Sequence, residues 1–157
     1  MKQIDLSAHS DSSLPHYPVT AIVIGRNEGA RLQACLRALS QQLSRIVYVD
    51  SGSTDGSADF AQAMGVQVVH LDMGLPFTAA RARNAGLKAI AADPTEFTQF
   101  IDGDCMLQPE WLPAAVPALQ ADPQLAVVAG RRRELYHERS VYNWLCDLEW
   151  DTPVGDA

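Results

Sequence analysis

Apolar positions along this chain fall into short β-branched runs that alternate with helically spaced segments. Residues 19–24 (Val-Thr-Ala-Ile-Val-Ile) form the first run, stopped by Gly25. A run of that kind, with no polar alternation, predicts a strand covered on both faces. Leu32, Cys35, Leu36 and Leu39 then follow at helical spacing, with Asn27 as the expected N-cap. A second strand is predicted over 45–49 and ends at Asp50; the polar stretch 51–56 is a loop turning into a helix over 57–64. The pattern repeats with a strand over 66–71, a break at Gly74 and Pro76, and an alanine-rich helix over 78–92 closed by Asp93-Pro94. The apolar run 97–101 reads as a buried strand and stops abruptly at Asp102-Gly103-Asp104. Pro109 is expected at the first position of a helix through Trp111, Leu112 and Val116 to Leu119, and Pro113 and Pro117 leave its continuity open. A strand is predicted over 125–129. Val141, Trp144, Leu145 and Leu148 predict a last helix over 140–150, with core packing expected for its tryptophans.

Strands alternating with helices predict an α/β fold: a mostly parallel, Rossmann-like sheet with helices on both faces and right-handed crossovers. In such sheets ligands bind outside the carboxyl ends of the strands. Those ends here are residues 25–28, 50–55 and 102–104, so three polar loops are expected at one edge. Asp102 and Asp104 bring two hard oxygen donors to that edge, which suits Mg²⁺ or Mn²⁺. A polar turn after a strand would read the same way in isolation.

Composition narrows the ligand. At 157 residues with 47% hydrophobic and 20% charged positions, the chain can bury a core as an ordinary globular domain. A net charge of −7 argues against a nucleic-acid partner, and an anionic ligand needs local positive charge or a metal. Lys2 and Lys88 are the only lysines, so the positive charge is almost all arginine, weakly favouring anion recognition. Cys35, Cys105 and Cys146 are odd in number and lack CxxC spacing, which argues against disulfides and zinc and for reduced thiols in an intracellular protein. His9, His16, His70 and His137 lack metal-ligand spacing and are read as surface or structural residues. Residues 1–17 are expected to be a flexible tail with no signal-peptide core, and 18–157 a single domain. No apolar run reaches the ~20 residues of a membrane span. A cytoplasmic protein is expected, with the inner face of a membrane as a further option.

Neither GxGxxG nor GxxxxGK[ST] occurs, which removes most of the case for nicotinamide enzymes and P-loop NTPases. Residues 102–107 are superficially similar to the DxDx[TV] opening of haloacid-dehalogenase-like phosphatases, with Met106 in place of Thr or Val. That family opens its fold with the motif, whereas here three β-α units precede it. Four successive segments fit another family better: VTAIVIGRNE at 19–28, VYVDSGSTDG at 47–56, ARNAG at 82–86 and IDGD at 101–104. In order and spacing they resemble the signatures of family 2 glycosyltransferases, over residues from 19 to at least 131.

The resemblance implies a GT-A nucleotide-sugar-binding fold, here incomplete at its C-terminus, and transfer, with inversion, from a nucleoside-diphosphate sugar. The donor is expected to be a UDP-sugar and the acceptor an unspecified glycan, lipid or small molecule. Position by position it implies Ile24, Gly25, Arg26 and Glu28 at the base and ribose, Asp50 hydrogen-bonding the base, Ser51 beside it, and Arg83 near the diphosphate with Arg81 as helper. Asp102, Gly103 and Asp104 form the DxD, with Asp104 on the metal and Asp102 on the ribose or the metal. Ser51 stands where a second aspartate is commoner, and Gly25 where threonine is. An inverting transfer also needs a general base, expected beyond Ala157; the late carboxylates Glu149, Asp151 and Asp156 read as surface acids. The arginines 131–133 are an exposed basic strand end or a contact for an anionic acceptor. The alternative is a non-catalytic nucleotide-binding or interaction module of the same fold.

Overall fold

The structure, a computed structural model, describes residues 17–151, so the tail predicted at 1–17, except Tyr17, and Asp156 lie outside the described residues. The chain divides into two compact units, one running to Leu112 and the other beginning at Pro113.

The first unit alternates strand and helix: β1 (Val19–Gly25), α1 (Ala30–Ser40), β2 (Ile46–Asp50), α2 (Ser57–Ala63), β3 (Gln67–His70), α3 (Ala79–Ile90) and β4 (Phe97–Asp102). All pairings are parallel and the sheet order is β3-β2-β1-β4. The two uninterrupted β-branched runs, β1 and β2, take the interior positions and are buried along almost their whole length. Ile22, Ile24, Val47 and Val49 point to one face, where they pack with Ala82 and Ile90 of α3. The alternate positions Ala21, Val23 and Tyr48 are also fully buried, as are Leu32, Cys35, Leu36 and Leu39 of α1, whose apolar stripe is the one the spacing predicted.

Two local expectations change. The run 97–101 forms β4, but as an edge strand it is only half-buried, and Phe100 is exposed. Asn27 does not cap α1: Gly29 takes that place, and Asn27 lies outside the helix with φ 55°. Thr78, by contrast, caps α3 by accepting a hydrogen bond from the Arg81 amide.

The second unit holds α5 (Val141–Glu149) behind a short 3₁₀ turn at His137–Arg139. Helix α4 (Trp111–Ala121), most of which belongs to the second unit, starts two residues after Pro109; Pro113 falls in its first turn, and the helix continues through Pro117. The strand predicted over 125–129 does not form: 125–134 carries no regular structure. A β-branched run has strand propensity but becomes a strand only beside a partner. The core packing expected for α5 also fails, since Val141, Trp144, Leu145 and Leu148 are all exposed and none of its residues is buried.

Gly86 of α3 marks the closest approach of helix to sheet. A Cβ there would lie 2.4 Å from Cγ2 of Ile22 in the middle of β1. Gly86→Ala should therefore lower stability in urea by about 1–2 kcal/mol, because overpacking outweighs the ~1 kcal/mol that alanine gains in a helix. Equal or greater stability in the variant would mean that α3 does not seat on β1 in this way.

Candidate functional site

Because all four strands are parallel, their carboxyl ends share one edge, and the register aligns them closely. Gly25 stands beside Asp50, Ile24 beside Asp102, and Asp50 beside His70. The hydrogen bonding runs on into each loop: the amides of Ser51, Gly103 and Leu71 donate to the carbonyls of Gly25 (3.1 Å), Ile24 (2.8 Å) and Asp50 (2.8 Å). β1 sits between β2 and β4, so the chain order reverses there, and loop 26–29 lies at the switch point where such sheets bind ligands.

The 102–104 turn is carried by this continuation. Gly103 is buried, and a Cβ on it would lie 3.3 Å from the Ile24 carbonyl and 3.2 Å from Leu32 Cδ1. Glycine lets the turn pass close over β1 and α1 while the flanking carboxylates reach solvent. Asp104 is exposed; Asp102 is half-exposed and its Oδ1 accepts from Arg83 Nη2 of α3 at 2.8 Å. Beneath the turn, Cys35 Sγ contacts the Asp102 carbonyl at 3.9 Å. Burial pushes this thiol up to about 12, with Cys105, Asp104 and Asp102 adding to the shift, so it stays neutral.

Asp50 was expected to meet the base, but its carboxylate turns into its own loop. It is 3% exposed and accepts hydrogen bonds from the Tyr48 hydroxyl (3.1 Å) and from the amides of Gly52 (3.1 Å) and Ser53 (3.1 Å), with His70 Nδ1 3.7 Å away. Burial, and then the Asp50 charge, move the Tyr48 phenol well above the usual range, though a Ser53 hydrogen bond opposes them. The neighbouring Ser51 is fully buried, and its hydroxyl is without a hydrogen-bond partner among the described residues. Further along, Asp55 Oδ1 accepts from the Ser57 amide at 3.0 Å, and the Ser57 hydroxyl and amide hold the Asp55 carboxyl below its usual range.

The 26–29 loop lies between the other two. Arg26 is exposed and Glu28 half-buried. Glu28 Oε2 lies 2.7 Å from Arg31 Nη2, a contact of charges whose angles fall short of a hydrogen bond. Two further expectations resolve into local structure. Arg81 donates to the carbonyls of Asp72, Leu75 and Pro76, holding the loop before α3. In the second unit Arg133 makes a bidentate pair with Asp147 (2.8 Å on each arm), Arg131 pairs with Asp151, and Arg132 lies over the Trp150 ring. The arginine triplet is thus occupied by neighbours of its own unit, and so is the late carboxylate Asp151. Sequence reasoning named Asn27 only as a cap and so missed its hydrogen bonds to the 51–56 loop; its place beside Arg26 was the only hint.

A four-stranded parallel sheet with this order, helices packed on it and an acidic, glycine-bearing carboxyl edge is a GT-A-like α/β fold. Solved structures agree: TarS 1-349 of S. aureus in complex with UDP-GlcNAc superposes with a TM-score of 0.54 at 20% identity, over 66% of this chain and 31% of that one. Glucosyl-3-phosphoglycerate synthase from Mycobacterium tuberculosis, in complex with uridine-diphosphate, gives 0.51 at 26% identity, over 66% of this chain and 40% of that one. The chain belongs to glycosyl transferase family 2, whose pattern matches residues 20–144. Among curated relatives, the lipopolysaccharide core biosynthesis glycosyltransferase LpsC of Rhizobium meliloti (strain 1021) is 40% identical over 63 residues, 40% of this chain and 21% of that protein. Glycosyltransferase AglE of Haloferax volcanii is 28% identical over 116 residues, 69% of this chain and 36% of that protein. The chain therefore spans about a fifth to two fifths of the length of these proteins.

The buried Asp50 carboxylate sets a stability test. Asp50→Ala strands one hydroxyl and two amide donors at the end of β2, and should cost about 3 kcal/mol in chemical denaturation. A loss below 1 kcal/mol, on the same order-of-magnitude scale, would show that water satisfies those donors and that the loop does not depend on the carboxylate.

Proposed function

We propose that the first unit is the donor-binding part of an inverting glycosyltransferase that takes its sugar from a UDP-sugar. The observation that carries this reading is the arrangement at the carboxyl edge, where Asp102 and Asp104 flank a glycine turn beside Arg83, one strand away from the loop organised by Asp50. The uridine-diphosphate complex of a 26%-identical structure supports uracil as the base. Ile24, Gly25, Arg26 and Glu28 line the base and ribose in this reading, with Asp50 and Ser51 completing that side. The Asp50 carboxylate acts by holding the Gly52 and Ser53 amides.

The donor set suits Mg²⁺ or Mn²⁺. Among the described residues no cluster of three or more His, Cys, Asp or Glu side chains forms a metal cage. A magnesium-like ion is commonly held by one or two carboxylates together with substrate phosphates, which is what Asp104 with Asp102 would provide. Such an ion, when bound, offsets the charge that grows on the departing diphosphate. Arg83 contributes to the same end, since its guanidinium stands at the acidic rim and can donate to a phosphate in bidentate fashion. Cytoplasmic placement is part of the proposal, supported by three free thiols; no described helix is long and apolar enough to cross a membrane.

UDP with Mn²⁺ should raise the melting temperature, the stabilisation reaching about 2.7 kcal/mol at free ligand near a hundred times Kd. No shift with any nucleoside diphosphate, metal present, sinks the donor-site reading. Asp104→Asn should leave the fold unchanged by circular dichroism and remove the Mn²⁺-dependent part of UDP binding in calorimetry. Undiminished metal-dependent affinity would assign the ion to other ligands.

A further inference from the structure

We propose that Asn27 is a positioning residue of the donor site, clipping the loop after β1 to the loop after β2 and so fixing the base-facing side of the site. The inference rests on the donor-site reading above. Two hydrogen bonds running in opposite directions make the clip. The Asn27 amide donates to Ser53 Oγ at 2.9 Å, and its carboxamide Oδ1 accepts from the Thr54 amide at 2.7 Å. A third bond, from the Gly29 amide to Ser57 Oγ at 3.3 Å, closes the same seam.

The backbone points the same way. Asn27 is the one non-glycine residue with positive φ among the described residues, at 55°. Asparagine tolerates that region better than most side chains, yet the conformation persists only where surrounding contacts hold it. Packing does not hold it, because Arg26 and Asn27 are both exposed. The hydrogen bonds therefore do. They also pass the order of a buried group outward, since the Asp50 carboxylate fixes the Ser53 amide and the Ser53 hydroxyl receives the Asn27 amide. On the other flank, Glu28 Cγ lies 3.5 Å from where a Cβ on Gly103 would be, so loop 26–29 also abuts the 102–104 turn. Asn27 thus sets where Arg26 and Glu28 stand between the Asp50 loop and the metal-side carboxylates. Its removal takes no apolar area out of the core, so the consequence belongs to binding rather than to stability.

The test uses Asn27→Gly, which keeps the left-handed backbone and deletes the carboxamide, and Ser53→Ala, which deletes the reciprocal acceptor. Binding of UDP and of inorganic pyrophosphate, both with Mn²⁺, is measured by calorimetry on the full chain. Each variant should weaken UDP about tenfold, as misplacement of a positioning group does, and leave pyrophosphate within about twofold. Melting temperatures should stay within about 2 °C of the parent, as for exposed substitutions. Unchanged UDP affinity in both variants, or parallel loss of UDP and pyrophosphate, overturns the clip. A parent chain that binds neither ligand overturns the donor-site reading and this inference with it, so the two failures are told apart by the parent alone.

Discussion

A parallel strand brings its carboxyl end to the same edge as its neighbours, and the whole candidate site depends on that one constraint. β1 is central to it, because it pairs with β2 on one side and β4 on the other while both its faces are covered. Slipping either pairing by one residue would turn buried side chains to the opposite face and move Asp50 or Asp102 away from Gly25 and Ile24. The hydrophobic pattern of β1 and β2 thus fixes the placement of polar groups that contribute nothing to the core. Each loop leaves the sheet through one more backbone hydrogen bond, which extends that rigidity to the first residue of each turn.

At the carboxyl edge each acidic side chain has its own electrostatic setting. Asp102, Asp104 and Asp50 all belong to this rim, but only Asp104 is fully exposed. Asp50 is neutralised in effect by amide dipoles and a phenol, and Asp102 by Arg83. Cys35, immediately beneath, keeps its proton because burial first, and then Cys105, Asp104 and Asp102, all raise its pKa, so it adds no charge to the turn above. At the 102–104 turn, what faces solvent is then the Asp104 carboxylate, which accepts from Cys105 Sγ at 3.5 Å, beside a carboxylate-guanidinium pair.

Much of the fold was legible in the sequence, because the signals that carry it are local. The uninterrupted β-branched runs of β1 and β2, the α1 stripe and the α3 helix all formed close to where spacing placed them. Motif order likewise pointed to the family before any contact was known. The failures share a cause: each needed information about a partner. β4 mixes Phe97, Phe100 and Ile101 with Thr98 and Gln99, and its edge position is decided by what pairs next to it. The run at 125–129 lacks a neighbouring strand, and α5 has an apolar stripe that its own unit does not cover. Side-chain engagement was equally hidden, since nothing in an arginine triplet says that Asp147, Asp151 and Trp150 lie within reach.

Asp50 shows why a motif residue and its physical role need separate arguments. Its place at the end of β2 was clear, and a carboxylate there was naturally assigned to the ligand. A carboxylate that is 3% exposed and already accepts three hydrogen bonds has little capacity left for a further donor. Its strongest influence therefore passes through the groups it orders: Gly52 and Ser53 directly, and Asn27 through the Ser53 hydroxyl. A buried charge satisfied in this way is costly to remove and also rigid, which suits it to anchor exposed loops that have no core of their own. The exposed residues around it can then differ in identity while the frame that presents them stays the same.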